Sequence, residues 1–195
     1  LDALTQLIEA FVTKKANPLT DGICREGLRC AARSLRRAFE DGADATARQD
    51  MALAALFSGL ALANAGLGAV HGFAGSLGGM IGAPHGVVCG RLLPHVMAAN
   101  VKALRDRVPD SPALARFDEI AQIATGDDSA RASDGVVWVK NLCGVMALPG
   151  LRRYGLTEAD FSDAVAQAKK ASSMKGNPIE LHDDELAAIL TAAMD

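Results

Sequence analysis

Apolar residues recur along this chain at helical spacing far more often than at strand spacing. Near the N-terminus Ala3, Leu4, Leu7, Ile8, Phe11 and Val12 fall on one helix face. After Asn17-Pro18, Thr20 reads as the N-cap of a second helix running to about Arg37, with Leu28, Ala31, Leu35 and Phe39 continuing the stripe. Further helices are predicted over 46–64, 85–103, 113–124, 132–147, 158–173 and 184–194. Pro94 predicts a kink or local break in the helix that carries it. Thr157 and Asp160 form a near capping box, and Asp183 caps the last helix. Val136-Val137-Trp138-Val139 is β-prone by itself, but Leu142, Val145 and Met146 extend it with helical spacing. The pattern predicts an all-α fold: one domain of about eight helices, with no sheet.

Two stretches depart from this pattern. Ten of the 19 glycines lie between Gly59 and Gly90, and most of that segment is given no helix of its own. Gly126-Asp127-Asp128-Ser129 and Lys175-Gly176-Asn177-Pro178 read as surface turns. Residues 51–90 also contain no Asp, Glu, Lys or Arg. A membrane-crossing helix over 51–70 has the length for it, but Ser58, Asn64, the Ala/Gly bias and the lack of an aromatic belt disfavour that reading. A helix buried on all sides is the expectation.

Composition narrows the function classes. The chain has 195 residues, 50% of them hydrophobic and 22% charged, enough for one sizeable globular core. A net charge of -3 with no basic face argues against nucleic acid as a partner. Cys24, Cys30, Cys89 and Cys143 form no Cys-x-x-Cys pair and read as reduced core residues of a cytoplasmic protein. Residues 1–15 lack the basic head of a signal peptide, and the chain opens inside a helical pattern, which suggests a piece of a longer protein.

Two of the four histidines, His71 and His85, stand in the uncharged segment, each followed by glycine. They read either as core histidines bonded to backbone carbonyls or as metal ligands, since neutral imidazole is the commonest one. A divalent ion in a dry site needs a carboxylate, and the nearest candidate is Asp2, which otherwise reads as an exposed helix N-cap. Gln6 follows one turn later on the same face, and Glu9 is a candidate supporting group behind the ligands. His95 reads as a packing or capping residue and His182 as solvated. Cys89 lies near His85 but among apolar neighbours, which disfavours a reactive thiol. Gly66-Leu-Gly68-Ala-Val-His71-Gly72 imitates a dinucleotide fingerprint, yet it has His71 at the third glycine position and no preceding strand.

These motifs resemble one family over essentially the whole chain. Asp2-Ala-Leu-Thr-Gln6-Leu-Ile-Glu9 is similar to the opening of the C-terminal helical domain of iron-containing alcohol dehydrogenases. Gly66 to Gly79, Pro84-His85-Gly86 and Leu92-Leu93-Pro94-His95 resemble that family's long signature, and Asn177-Pro178 fits the turn before its last helix. The resemblance implies a dehydroquinate synthase-like α domain spanning residues 1–195, with the N-terminal nucleotide-binding domain absent from this chain. It implies a divalent metal (Fe2+ or Zn2+) held by Asp2, His71 and His85, and NAD(P) in the full-length protein. At position 6 the family's histidine is replaced by Gln6, a weak candidate ligand, and at position 75 a second family histidine is replaced by Gly75. The implied reaction is hydride transfer between a small-molecule alcohol and a nicotinamide, with the metal as Lewis acid at the substrate oxygen. A homodimer is a family expectation. The alternatives are a stand-alone, non-catalytic helical module, or a maleylacetate reductase-like or dehydroquinate synthase-like relative, the former working without metal.

Overall fold

The computed structural model describes residues 1–195 and contains nine α-helices and no strand: α1 (Asp2–Val12), α2 (Pro18–Glu40), α3 (Ala45–Ala65), α4 (Ala69–Ile81), α5 (His85–Arg107), α6 (Pro112–Thr125), α7 (Ala132–Val145), α8 (Phe161–Lys170) and α9 (Asp183–Ala193). Short 3-10 turns at Leu151–Tyr154, Glu158–Asp160 and Met174–Gly176 complete it. One core of 50 buried residues runs through the helices. α1 lies inside the bundle, with Leu4, Leu7, Ile8, Phe11 and Val12 all buried. It can approach α2 closely because residue 27 is glycine: a Cβ there would stand 2.6 Å from Leu7 Cδ2.

Several local details differ from the sequence expectations. α2 starts at Pro18, and its cap is Asn17, not Thr20. Asn17 Oδ1 accepts from the Thr20 N–H and Thr20 Oγ1 accepts from the Asn17 N–H, each at 3.1 Å. Pro18 fits the first helical position because its missing N–H would have no helical partner there. α5 continues unbroken through Pro94. The carbonyl that Pro94 leaves unpaired, that of Gly90, accepts instead from Cys143 Sγ at 3.3 Å.

α3 is not buried on all sides. Ala47, Asp50, Ala54, Ser58, Ala61 and Ala65 form its buried face, while Leu53, Leu56, Leu60 and Leu62 are exposed. Small residues let α3 seat closely against α1 and α2, and the larger side chains point away. No single helix is long and apolar enough to cross a membrane.

The glycine-dense segment forms a helix, α4, despite glycines at 72, 75, 78 and 79. Their backbone entropy cost is offset by burial of Val70, Phe73, Ala74 and Leu77. Gly72 also admits Met174, whose Cε would lie 2.9 Å from a Cβ at that position. α4 has no side-chain cap of its own. Its first N–H groups are met from elsewhere: Asn177 Oδ1 accepts from Ala69 at 3.1 Å, and Glu9 Oε1 accepts from Val70 at 2.6 Å.

The second supposed surface turn is in fact an interior knot. Asn177 is 2% exposed and Gly176 is buried. The Asn177 amide exchanges hydrogen bonds with Asn100 and donates to the Ile179 carbonyl at 2.7 Å. The Gly176 carbonyl accepts from Thr13 Oγ1 at 2.7 Å and from the Lys14 N–H at 3.0 Å. Composition marks such a segment as a turn, but only the fold shows that its polar groups are satisfied inward. The turn at 126–129 is exposed, as expected.

The same substitution should therefore act oppositely at two glycines. A Cβ at Gly59, inside α3, meets nothing within 4 Å, so Gly59→Ala should stabilise the chain by about 0.5–1 kcal/mol. A Cβ at Gly68 would stand 2.9 Å from Glu9 Oε1 and 3.0 Å from Asn177 Oδ1. Gly68→Ala should cost about 1–3 kcal/mol by forcing those caps apart. Urea unfolding of the two variants checks both signs.

Candidate metal centre

Three helices bring the chemistry-bearing residues together. Asp2, Gln6 and Glu9 lie at intervals of about one turn along α1 and share a face. His71 stands in the first turn of α4. His85 opens α5, and Cys89 follows it one turn later on the same face. Asp2, His71, His85 and Cys89 each offer one donor atom, and these atoms all lie within 4.8 Å of one another.

The closest approaches converge on Asp2 Oδ1. His71 Nε2 is 3.1 Å and His85 Nε2 is 3.5 Å from it. The two imidazole rings are 5.5 Å apart between centroids and tilted by 53°. Cys89 Sγ lies 3.6 Å from Asp2 Oδ1, 3.8 Å from His71 Nε2 and 3.5 Å from His85 Nε2. Gln6 Nε2 donates to the other Asp2 oxygen, Oδ2, at 3.0 Å. The structure thus brings Asp2, His71 and His85 together and places Gln6 against the far side of the Asp2 carboxylate.

Behind His71 stands Glu9, whose Oε2 is 2.6 Å from His71 Nδ1. A carboxylate on Nδ1 fixes the ring and directs Nε2 into the gap between the donors, the arrangement that supports metal-bound histidines. The back of the site is closed and its front is open. The side chains of Glu9 and His71 are 5% and 8% exposed, against 38% for Asp2 and 49% for His85.

The electrostatics follow from this packing. Burial acts to depress the His71 imidazole, but hydrogen bonds with Asp2, Cys89 and Glu9 outweigh it and push its pKa up to about 11. The hydrogen bond from His71 lowers Asp2 below the usual carboxylate range, against an opposing effect of burial. Burial raises the Cys89 thiol, partly countered by His71. The raised value reflects the position of His71 between the carboxylates of Asp2 and Glu9.

The remaining candidates lie elsewhere. His182 is exposed at the start of α9, with its Nε2 2.6 Å from Arg107 Nη1. His95 is half-buried, and burial together with Lys140 and Arg91 lowers it to about 4. All four cysteines are free and buried. Sequence reasoning treated Cys89 as an apolar core residue and missed that it faces the cluster; its separation of four residues from His85 on one helix was the available signal. The segment at 66–72 joins two helices and lacks the strand a dinucleotide fingerprint needs. Gly75 is exposed on α4, and a Cβ there meets nothing within 4 Å.

Two imidazoles, a carboxylate and a thiol converging on one point, with a carboxylate behind, define an all-α domain equipped to bind a metal ion. The chain belongs to the Fe-containing alcohol dehydrogenase family, whose C-terminal model matches residues 1–194. It is 37% identical over 194 residues to the 1,3-propanediol dehydrogenase of Klebsiella pneumoniae, covering 99% of this chain and 49% of that protein. It is 37% identical over 195 residues to alcohol dehydrogenase 4 of Schizosaccharomyces pombe, covering 100% of this chain and 44% of that one. Among solved structures, a 1,3-propanediol oxidoreductase superposes with a TM-score of 0.89 at 35% identity, over 98% of this chain and 50% of its own. The chain spans about half the length of the curated relatives it matches.

The raised His71 pKa makes a stability prediction for the metal-free chain. A folded value of about 11 against an ordinary 6.5 means that protonated His71 stabilises the fold fully below pH 6.5. That contribution declines as pH rises and is lost on passing about 11. In the presence of a chelator, denaturant midpoints should fall across this window more steeply for the parent than for His71→Gln. Parallel curves would remove the imidazolium from the account.

Proposed function

We propose that this chain is the metal-binding helical half of an NAD(P)-dependent alcohol dehydrogenase. The reaction is interconversion of a small alcohol with an aldehyde or ketone by hydride transfer. The observation that carries the reading is the convergence of Asp2 Oδ1, His71 Nε2 and His85 Nε2, with Asp2 Oδ1 3.1 Å and 3.5 Å from the two nitrogens. Family membership and the alcohol dehydrogenase names of the relatives support it. The nicotinamide is assigned to a nucleotide-binding domain outside this chain, because the helices here supply no parallel sheet whose strand ends could cradle a dinucleotide.

The donors suit a divalent cation such as Fe2+ or Zn2+: two imidazole nitrogens and one carboxylate oxygen on a face with a solvent opening. A bound divalent ion would act as a Lewis acid that lowers the pKa of the substrate hydroxyl. The chain's own residues do the rest. Glu9 holds the His71 ring by Nδ1 and so aims Nε2 at the gap. Gln6 holds Asp2 Oδ2, which leaves Oδ1 turned toward both imidazoles. His85, half exposed at the end of α5, forms the rim that substrate passes. Residues 51–90, which carry both histidines, bring no lysine or arginine to the centre. Gly75 leaves room beside α4 where the related family places a histidine, so a departing proton passes to water or another group.

The test is metal retention by the purified chain. The parent should hold a divalent ion through gel filtration, while His71→Ala and Asp2→Ala should lose it. Glu9→Gln keeps an acceptor for the Val70 N–H but removes the carboxylate behind His71, and should weaken affinity by roughly 10–100-fold. Binding should release a proton at neutral pH, because His71, raised to about 11, must become neutral to ligate. Titration calorimetry in buffers of different ionisation enthalpy reads both quantities. Undiminished activity of the complete enzyme after chelation would favour the metal-free, maleylacetate reductase-like alternative. NAD(P)-dependent oxidation by this chain alone would refute the assignment of the nicotinamide to another domain.

A further inference from the structure

The metal reading leaves one donor without a role: Cys89. Its thiol is fully buried, yet it faces the one polar cluster in its surroundings and not the core alone. The distances around it can be compared with what a tetrahedral ion requires. Ligand bonds of about 2.0–2.1 Å to nitrogen or oxygen and about 2.3 Å to sulfur imply edges of about 3.3 Å between N/O donors and about 3.6 Å from those donors to sulfur. The observed sulfur edges are 3.6 Å to Asp2 Oδ1, 3.8 Å to His71 Nε2 and 3.5 Å to His85 Nε2. The observed N–O edges are 3.1 Å and 3.5 Å. Five edges of one tetrahedron therefore fall within a few tenths of an ångström of the requirement. Gln6 meets the centre through the Asp2 carboxylate, its amide nitrogen donating to Asp2 Oδ2 at 3.0 Å.

We propose that Cys89 is the fourth ligand of this centre, so that the ion is held by one carboxylate, two imidazoles and one thiolate. The inference rests on the metal reading above and adds the identity of the ion. A thiolate is a soft donor that favours zinc over iron(II) in a mixed nitrogen, oxygen and sulfur set. As the metal–sulfur bond forms, the thiol proton leaves to solvent through the open side between Asp2 and His85, and no electron is transferred. Four protein ligands fill a tetrahedron, so substrate must enter as a fifth ligand on that same exposed side. Zinc accommodates this expansion.

The experiment uses the purified chain loaded with cobalt(II) or zinc(II). The cobalt form should show the intense visible bands of a four-coordinate ion together with a near-ultraviolet thiolate-to-cobalt charge-transfer band. In Cys89→Ser the charge-transfer band should vanish while cobalt remains bound. X-ray absorption of the zinc form should show a sulfur neighbour at about 2.3 Å. Zinc affinity in Cys89→Ser should fall by more than the roughly 10–100-fold expected for loss of an outer supporting group. In competition the parent should retain zinc over iron(II), and the variant should lose part of that preference. A bound metal with neither the charge-transfer band nor a sulfur neighbour overturns the role of Cys89 and leaves the three-ligand site standing. Failure of the parent to bind cobalt or zinc overturns both. Cys89→Ala, checked for an unchanged helical circular dichroism spectrum, separates ligand loss from a folding defect.

Discussion

One buried carboxylate ties the fold to the site. Glu9 is 4% exposed, and a carboxylate removed from water that far is tolerated only when its charge and lone pairs are answered. Oε1 takes the Val70 N–H at the start of α4, and Oε2 takes His71 Nδ1, each at 2.6 Å. The helix N-terminus favours the negative charge there and the imidazole shares it. One side chain of α1 therefore both holds the first turn of α4 and sets the His71 ring. Gly68 is the condition for it, because only a residue without a side chain lets Glu9 and Asn177 both reach the backbone of α4.

The same economy of side chains explains the uncharged middle of the chain. α3 presents alanines and Ser58 to α1 and α2, which draws the three helices close without bulky interdigitation. α4 uses Gly72 to run past Met174 and still buries Phe73 and Leu77. Two polar groupings border this region, the Asn100–Asn177 knot and the cluster at Asp2. Both are internally bonded, as a dry interior demands.

The helices were legible because their apolar stripes are regular, and the two histidines stood out because nothing else around them can carry chemistry. Asp2 could be joined to them only through family resemblance, since no spacing rule spans 69 residues. Helix α4 was hidden because propensity counts its glycines but not the Met174 contact that needs one of them. Asn177 looked like a surface turn because Gly-Asn-Pro has the same composition whether its polar groups face water or each other. Cys89 is the free, buried core residue that its apolar neighbours suggest, but it also faces the cluster. Its neighbours Val88 and Gly90 are buried like Cys89 itself, and the one added fact is that Cys89 lies one turn after His85 on the same helix face. The rule that paired Asp2 with Gln6 applied equally to that pair.

The unequal exposure of the donors bears on how such a centre works. Cys89 and His71 anchor the site from inside, where packing and Glu9 allow little movement, while Asp2 and His85 form its outer edge. A site built in this way can admit a ligand from one direction only, the side on which His85 is 49% exposed. That outer edge lies at the amino-terminal ends of α1, α4 and α5, where Asp2, His71 and His85 stand. These helix ends direct partial positive charge toward the cluster, which favours an anionic group held there.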